Sequence, residues 1–363
     1  MQSLLVLDDY LQISGHHFGH LQPPALQVEF FDTHFPQRTA QERRDLVETL
    51  YPHDIISTMR ERTPFSGELL RQLPNLKLLL CTGTQFEMFD LETAKTLGIM
   101  VATAPGRGRT DAVQTTQHQQ DIRKGGSHPA THHTWAMILS LARNIAADDA
   151  TIKAGGWQSD MAIGLSGKTL GIVGLGRLGA AVARIGFLAF GMKIKCWSAS
   201  LDQAKADEMA TKLGLPLQDA DGNKSFQAVS KGELFETADV VTLHYVLSDR
   251  SRGIVGAEEL KAMKSSALLV NTSRGALIDE TALVEAATKG SIRGVALDVF
   301  EEEPLPADSP WRSQDWGKGN KSHVLVTPHM GYVEEGIMNG WYAEQAENVE
   351  RWLDGREILH RLV

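Results

Sequence analysis

The sequence has very little cysteine, no excess of positive charge and no long apolar run. Its 363 residues include two cysteines, Cys81 and Cys196, in segments that we assign to different domains. This spacing offers no disulfide framework and no cysteine metal cluster. The formal net charge of -9 gives no electrostatic basis for binding nucleic acid or an anionic membrane surface. Small anionic substrates are still compatible, because local charge decides their binding.

The first ten residues, MQSLLVLDDY, lack the features of a targeting segment. Their apolar run is short and has no basic flank, so we expect neither a signal peptide nor a transmembrane helix and predict a cytoplasmic protein. A chain of 363 residues with 42% hydrophobic content is too long for one ordinary core. It therefore predicts two domains.

Apolar runs alternate with helical patterns along the chain. A first series has five strand-like runs: LLVLDDY, LQVEFFD, DIIST, LKLLLCTG and IMVATA. A second series begins with a long helix near Thr131 and has six: KTLGIVG, MKIKCWS, ADVVTLH, ALLVNTS, GVALDVF and HVLVTPH. The first predicts an α/β layer sandwich and the second a doubly wound sheet. The tail, residues 332–363, has a helical pattern that ends in a glycine.

Two polar stretches interrupt this alternation. Residues 107–128 lack apolar periodicity, and we interpret them as a solvated loop, although long loops inside compact domains are often functional. The histidines of this stretch, His118 and His128, have no third ligand at metal-binding spacing, so we predict no metal site. Residues 313–322 are interpreted as a surface loop.

A glycine motif follows the first strand of the second series. In KTLGIVGLGRLGAAVA, Gly174, Gly176 and Gly179 form GxGxxG between an apolar strand and an alanine-rich helix. The first glycine permits a tight turn, the second lets the backbone approach a pyrophosphate, and the third lets helix pack on strand. In this setting the motif predicts dinucleotide binding, and the alternative is a turn that is merely rich in glycine.

Three later strands end in polar residues that suit acid–base chemistry. VNTSRGALIDE, GVALDVFEEEP and VTPHMGYV carry Arg274, Glu303 and His329, and strand ends in a doubly wound sheet face the ligand. Arginine can bind a carboxylate, a protonated histidine can donate to a carbonyl oxygen, and a glutamate can orient the imidazole. The alternatives are a capping or surface-paired arginine, a solvated glutamate in the run 301–303, and a turn histidine with satisfied hydrogen bonds.

These stretches resemble the D-isomer-specific 2-hydroxyacid dehydrogenases, most closely from Gly167 to Pro304. The motifs GKTLGIVGLGRLG, TADVVTLH, NTSRGALIDE and ALDVFEEEPLP carry the resemblance. It implies an α/β protein in which a doubly wound Rossmann nucleotide-binding domain, residues 129–331, is inserted in a smaller flavodoxin-like substrate domain. That domain would comprise residues 1–128 and be completed by the tail 332–363.

The resemblance also implies roles for single residues. Arg274 would bind the substrate carboxylate and carbonyl, His329 would be the general acid or base, and Glu303 would support it. The implied cofactor contacts are Gly174, Gly176, Arg177, Leu178, Gly179, Ser198, Thr272 and Asp298, the last near the nicotinamide carboxamide.

On the substrate side, the resemblance points to the backbone amides of Gly83 and Thr84. Arg60 or Arg62 would add positive charge, and a surface pair with Glu61 is the alternative. A homodimer is expected, with a contact at the helix near Thr131. The sequence departs from the family at His132, where a glutamate is usual.

Residues 196–200 read CWSAS at the end of the second Rossmann strand, where a carboxylate would accept both ribose hydroxyls of NAD and repel a 2′-phosphate. Ser198 stands at that place, so the main barrier to NADP is absent. Ser200 resembles a helix N-cap, and first-turn amides could then bind phosphate, although Asp202 opposes this. We predict use of both cofactors, NADP and NAD, with NADPH moderately preferred. The alternative is an NAD enzyme that holds the ribose through serine hydroxyls and backbone groups.

The sequence thus predicts an oxidoreductase that reduces a 2-keto acid, or oxidises a D-2-hydroxy acid, with a nicotinamide cofactor. Its partners would be small acids, not nucleic acid or a membrane. The alternative is an NAD(H)-sensing module of the same fold that binds proteins. Formate oxidation is disfavoured, because formate has no carbonyl to protonate.

Overall fold

The computed structural model describes residues 2–21, 26–32, 34–35, 37, 39–111, 128–158 and 160–363. The chain divides into two compact units, one of Met1–Gly126 with Glu334–Val363 and the other of Ser127–Val333. These limits differ by two residues from the predicted domain boundaries at each junction. Within the described residues, no helix combines the length and apolar character that a membrane crossing requires.

The first unit contains a five-stranded parallel sheet. Its strands are β1 (Gln2–Val6), β2 (Leu26–Phe30), β3 (Ile55–Thr58), β4 (Leu78–Thr82) and β5 (Met100–Ala104), in the order β2-β1-β3-β4-β5. Every residue of β3 and β4 is buried, as expected for parallel strands covered on both faces. This strand order is the flavodoxin-like one, so the predicted architecture is confirmed.

Helices of the first unit begin at residues that cap them. They are α1 (Gly15–Phe18), α2 (Ala40–Leu50), α3 (Gly67–Leu70) and α4 (Leu91–Thr96). Thr39 and Glu42 form a capping box at α2, because the Thr39 Oγ1 accepts from the Glu42 amide at 3.1 Å and the Glu42 carboxylate accepts from the Thr39 amide at 2.7 Å. Ser66 and Asp90 accept amide hydrogen bonds at the starts of α3 and α4 in the same way.

The second unit contains a seven-stranded parallel sheet. Its strands are β6 (Thr169–Val173), β7 (Lys193–Trp197), β8 (Gln227–Ala228), β9 (Val240–Leu243), β10 (Leu268–Asn271), β11 (Gly294–Leu297) and β12 (His323–Val326). The strand order is β12-β11-β10-β9-β6-β7-β8. The chain adds β7 and β8 on one side of β6 and then β9 to β12 on the other side, as in a Rossmann sheet. The six predicted strands are confirmed. The sequence pattern missed β8, because a strand of two residues has no apolar run.

Helices cover both faces of this second sheet. They are α5 (Pro129–Ala142), α6 (Ile145–Lys153), α7 (Arg177–Phe190), α8 (Gln203–Lys212), α9 (Lys231–Thr237), α10 (Ala257–Ala262) and α11 (Glu280–Lys289). Ile172 of β6 packs with Ile138 of α5 and Val182 of α7, whereas the next residue, Val173, packs with Leu234 of α9. Because neighbouring strand residues point to opposite faces, the sheet has a core on each side.

The long helix predicted near Thr131 is divided in two. It begins at Pro129, where His128 Nδ1 accepts from the Ala130 amide at 3.2 Å, and α5 ends at Ala142. Asn144 adopts the left-handed conformation, with φ of 55°, and α6 starts after it. The break follows from this backbone reversal, which a helix cannot accommodate.

The tail forms α12 (Glu335–Leu353), which packs on β4, β5 and α1 of the first unit. Three glutamates at successive turns of α12 hold the start of the predicted solvated loop. Glu344 accepts from the Gly106 amide at 3.0 Å, Glu347 from the Thr110 amide at 2.6 Å, and Glu350 from Arg109 at 2.8 Å. Residues 107–111 are therefore tethered by hydrogen bonds, and Arg107, Thr110 and Asp111 are exposed, as the prediction of a solvated loop requires. Residues 112–127, including His118, lie outside the described residues.

Candidate active site

The glycine motif forms a tight turn between β6 and α7. Gly174 has a φ of +100°, and a Cβ there would lie 2.5 Å from the carbonyl oxygen of His244. A Cβ at Gly179 would collide with the carbonyl oxygen of Gly174. Glycine at both positions therefore lets the turn and the helix approach each other as the motif predicts.

The start of α7 has room for a pyrophosphate. Gly176 is the N-cap and makes no side-chain cap, and a Cβ at this residue would meet no heavy atom within 4 Å. Arg177 is exposed and Leu178 is half-buried beside it. Because the first-turn amides of a helix need acceptors, this open helix end fits the phosphates of a dinucleotide.

The end of β7 differs from the prediction in its helix cap. The N-cap of α8 is Asp202, whose Oδ1 accepts from the Lys205 amide at 2.8 Å, so the expectation of a Ser200 cap is wrong. This hydrogen bond from the Lys205 amide lowers the pKa of Asp202 below its usual range. A carboxylate caps a helix as well as a hydroxyl does, and here it places a negative charge where phosphate was expected.

Tyr245 contacts the end of β7, and the sequence interpretation did not identify it. Its ring stacks on Trp197 with ring centroids 6.0 Å apart, and its hydroxyl oxygen accepts from the Ala199 amide at 3.1 Å. It thereby holds the turn that carries half-buried Ser198. The sequence signal for this contact was an aromatic residue two positions after the end of β9.

The register of the sheet brings three predicted residues to one edge. Asn271 of β10 pairs with Leu297 of β11, which pairs with Val326 of β12. Arg274, Asp298 and His329 follow these strand ends within three residues. Since carboxyl ends of parallel strands share an edge, the residues meet there although they are far apart in sequence.

His329 and Glu303 form a hydrogen-bonded pair. His329 Nδ1 lies 2.6 Å from Glu303 Oε2, and Glu303 Oε1 accepts from the Phe300 amide at 2.9 Å. His329 Nε2 has no hydrogen-bond partner within the described parts of the chain. The imidazole, whose edge lies against Tyr332 at 5.3 Å between centroids, is 15% exposed. One ring nitrogen is therefore oriented and the other is available for proton exchange.

The position of Arg274 depends on close packing between the backbones of Gly275 and Phe300. A Cβ at Gly275 would collide with the backbone of Phe300, so only glycine lets this segment pack against the one that leads to Glu303. The Asn271 side chain donates to the Arg274 carbonyl at 2.9 Å, and Arg274 Nη1 donates to the Ser273 carbonyl at the same distance. The residue precedes a 3-10 helix, Gly275–Leu277, and its side chain makes no cap.

Asp298 is 1% exposed and accepts hydrogen bonds from the segment that carries His329. Its Oδ1 accepts from the Met330 amide at 2.7 Å and from Thr327 Oγ1 at 2.6 Å, and its Oδ2 from the Gly331 amide at 2.9 Å. Burial raises the pKa of Asp298, but hydrogen bonds, chiefly from His133 and Thr327, outweigh it and hold the pKa below its usual range. The carboxylate therefore stays ionised.

Thr272 contacts the helix α5. Its Oγ1 lies 2.7 Å from Thr134 Oγ1, and the Thr134 hydroxyl lies 2.7 Å from the Ala130 carbonyl. The structure thus places this predicted cofactor residue at the same edge, one residue after β10, with its hydroxyl within hydrogen-bond distance of Thr134.

In the first unit, the predicted substrate residues interact with their neighbours. Arg60 has a φ of 46° and is 8% exposed, its Nε donates to Glu61 at 3.0 Å, and its guanidinium lies 5.8 Å from the Trp341 ring centroid. The pair with Glu61 is the alternative that the sequence left open, although it is mostly buried and not on the surface.

Gly83 and Thr84 follow β4 of the first unit. Gly83 has a φ of +74°, and its carbonyl accepts from the Ala104 amide at 3.2 Å. The Thr84 amide donates to the Gln85 side chain at 3.2 Å. A substrate carboxylate would have to displace that side chain to reach the amide. Among the described residues, no group of three or more His, Cys, Asp or Glu side chains is arranged to hold a metal ion.

The nucleotide-binding unit and the chain as a whole both resemble known proteins. Residues 135–331 match the family model described as "D-isomer specific 2-hydroxyacid dehydrogenase, NAD binding domain". A D-3-phosphoglycerate dehydrogenase of Methanocaldococcus jannaschii is 33% identical over 327 residues, which are 90% of this chain and 54% of the relative. A glyoxylate reductase of Aeropyrum pernix is 37% identical over 298 residues, which are 80% of this chain and 77% of the relative.

A solved structure supports the same assignment over nearly the whole chain. A phosphoglycerate oxidoreductase from Vibrio cholerae has a TM-score of 0.77 and 31% identity, and the match covers 98% of this chain and 100% of that one. The chain spans about half the length of the D-3-phosphoglycerate dehydrogenases that it resembles. By its matched nucleotide-binding domain and these relatives, the chain belongs to the D-isomer-specific 2-hydroxyacid dehydrogenase family.

Proposed function

We propose that this protein reduces a 2-keto acid to a D-2-hydroxy acid, or catalyses the reverse reaction, with a nicotinamide dinucleotide. The observation that carries the proposal is the His329–Glu303 pair at 2.6 Å, which leaves Nε2 available at the sheet edge that also carries Arg274. A pair of this kind suits proton transfer to an oxygen atom. Membership of the family supports the same reaction.

The protein's residues divide the work. Arg274 binds the substrate carboxylate with its planar guanidinium, which favours bidentate contacts. His329 donates a proton from Nε2 to the carbonyl oxygen during reduction and takes it back during oxidation. Glu303 accepts from Nδ1 and fixes the ring orientation. Gly174, Gly176 and the first turn of α7 would hold the dinucleotide, which would supply the hydride when bound.

We propose that the unit of Met1–Gly126 and Glu334–Val363 binds the substrate through Gly83, Thr84 and Arg60. The Arg60–Glu61 pair largely cancels the charge of the arginine, and solvent does not screen it because Arg60 is mostly buried. This favours a simple 2-keto acid with a single carboxylate, such as glyoxylate, over a phosphorylated one. The 37% identity to a glyoxylate reductase supports the same choice.

For the cofactor, we propose use of both NADH and NADPH with similar efficiency. Ser198 leaves the strand end without a carboxylate, which permits a 2′-phosphate. The amide support for that phosphate is reduced, because Asp202 caps α8 with a carboxylate. The Lys205 ammonium could attract a phosphate, but it is paired with Asp202 at 3.4 Å and donates to the Ser200 carbonyl at 2.5 Å. The predicted NADPH preference therefore has less physical support than the sequence indicated.

We also propose a homodimer. In the region that follows α5, helix α6 has no buried residue, and Ile145, Ile152, Trp157 and Met161 are all more than half exposed. Four large apolar side chains exposed within 17 residues of the chain favour association. Light scattering on the purified protein should give twice the chain mass, and Trp157→Glu should shift the distribution toward monomer.

The assay that tests the function follows nicotinamide absorbance with a panel of substrates. Glyoxylate, hydroxypyruvate, pyruvate, phenylpyruvate and 2-ketoisocaproate are each supplied with NADH or NADPH, and 3-phosphohydroxypyruvate tests the charge argument. Turnover of at least one simple 2-keto acid is expected. Dinucleotide binding without turnover of any of them would favour the NAD(H)-sensing module instead.

A further inference from the structure

His133 faces the site from α5, although the sequence interpretation singled out only its neighbour. His132 is exposed, whereas His133 is 19% exposed and turned toward Asp298. Its Nε2 lies 3.0 Å from Asp298 Oδ1 and 3.1 Å from Thr327 Oγ1. Asp298 and Thr327 follow β11 and β12, so His133 links α5 to two strand ends.

The segment that carries His329 needs support. His329 has a φ of 56°, which is unfavourable for a residue with a side chain. Its amide donates to the Asp298 carbonyl at 2.8 Å, and the amides of Met330 and Gly331 donate to the Asp298 carboxylate. Asp298 therefore determines where this segment runs and where His329 points.

The hydrogen bonds around Asp298 include a donor from α5. The Thr327 hydroxyl donates its proton to Asp298 Oδ1 at 2.6 Å. The lone pairs of Thr327 Oγ1 can therefore accept a hydrogen bond from His133. A proton on His133 Nε2 then satisfies both Thr327 and the buried carboxylate. Without the His133 proton, Asp298 would still be buried but would lose one hydrogen-bond donor. The loss of a donor to a buried carboxylate costs more free energy than the loss of an exposed hydrogen bond.

We propose that His133 is a positioning residue for the reaction. Through Asp298 and Thr327, it holds the Thr327–Gly331 segment in the conformation that presents His329 Nε2 to the carbonyl oxygen. This rests on the proposed function, and it adds a second histidine–carboxylate pair, behind the one that exchanges the proton. His133 itself touches neither substrate nor the reacting atoms.

The kinetic test compares three variants with wild type. His133→Leu removes the donor, His133→Gln keeps an N–H at about the Nε2 position, and His132→Leu is the matched control on the same helix. We expect kcat to fall about tenfold in His133→Leu, the order for losing a hydrogen bond to a charged group, with KM and dinucleotide Kd within about threefold of wild type. His133→Gln should recover most of kcat, and His132→Leu should match wild type.

A second measurement does not depend on turnover. The amides of Met330 and Gly331 donate to Asp298, so their hydrogen exchange reports whether the segment is held. Exchange in His133→Leu should be about tenfold faster than in wild type, and His133→Gln should restore it. If the leucine variant does not fold, His133→Asn replaces it, because its shorter amide stops near the Nδ1 position.

The outcomes separate the two proposals. Wild-type kcat and wild-type exchange in His133→Leu would overturn the positioning role, as would a loss that His133→Gln does not rescue. A wild type that turns over no 2-keto acid would overturn the proposed function alone. In that case the exchange rates still decide whether His133 holds the segment.

Discussion

The carboxyl ends of the two sheets use their polar side chains differently. In the sheet of Ser127–Val333, His329 has one ring nitrogen bonded to Glu303 and the other without a partner in the described chain. In the sheet of the other unit, Arg60 is bonded to Glu61 and the Thr84 amide to Gln85. The same topological position thus holds an available proton donor in one sheet and mutually satisfied groups in the other.

This difference shows that a position in the fold does not by itself make a group available. A family motif indicates which residue lies at a strand end. The neighbouring side chains decide whether the polar atoms of that residue already have hydrogen-bond partners. Glu303 leaves a ring nitrogen of His329 available, because it is bonded to the opposite one. Glu61, in contrast, is bonded to the guanidinium of Arg60 itself.

The largest expected effect breaks the site of the second unit. His329→Ala removes the proton donor and should lower kcat by roughly 10² to 10⁴. Dinucleotide binding should stay close to wild type, because the glycine turn is unchanged. Steady-state kinetics and a fluorescence titration with NADH measure the two quantities. Turnover within a few-fold of wild type, in a correctly folded variant, would remove His329 from the mechanism.

The next effect tests the anchor of the same edge. Arg274→Lys keeps the charge and loses the planar fork, so KM for the 2-keto acid should rise about tenfold or more, since arginine and lysine are not interchangeable at bidentate sites. Circular dichroism controls for folding. An unchanged KM and kcat would mean that Arg274 is structural, as the capping alternative held.

A smaller effect concerns the end of β7. Ser198→Asp places a carboxylate beside the ribose and should shift the ratio of kcat/KM values toward NADH by at least roughly tenfold, which equals about 1.4 kcal/mol. Asp202→Ser is the matched variant, because it keeps a cap and removes the charge, and it should shift the ratio a few-fold toward NADPH. A ratio unaffected by either change would show that this strand end does not select the cofactor.

The smallest effect sharpens the comparison from the side of the first unit. Gln85→Ala frees the Thr84 amide for the substrate carboxylate, so KM should fall, by no more than about threefold, because Thr84 is exposed and water competes for the same amide. Glu61→Gln removes the negative charge beside Arg60. This variant should therefore raise kcat/KM for a substrate with a second negative charge, such as 3-phosphohydroxypyruvate. A rise in KM in Gln85→Ala would mean that Gln85 itself contacts the substrate.

Much of the fold followed from local patterns. The five runs of the first sheet and six of the seven strands of the second were predicted, because buried parallel strands are continuous apolar segments. The strand β8 was not predictable, since two residues carry no periodicity. The division of the helix at Asn144 was missed, because the apolar periodicity continues through it, although asparagine after a basic residue is a known signal for a helix end.

The sequence by itself determined the family, the α/β architecture with its glycine turn, and the residues Arg274, Glu303 and His329 as candidates, because each depends on residue types at short spacing. Only the tertiary structure decided which groups are satisfied. The Asp202 cap, the Arg60–Glu61 pair and the contact of His133 with Asp298 depend on side-chain directions and on strands brought together from distant positions. Hydrogen bonds require distances and angles, and neither is encoded in spacing along the chain.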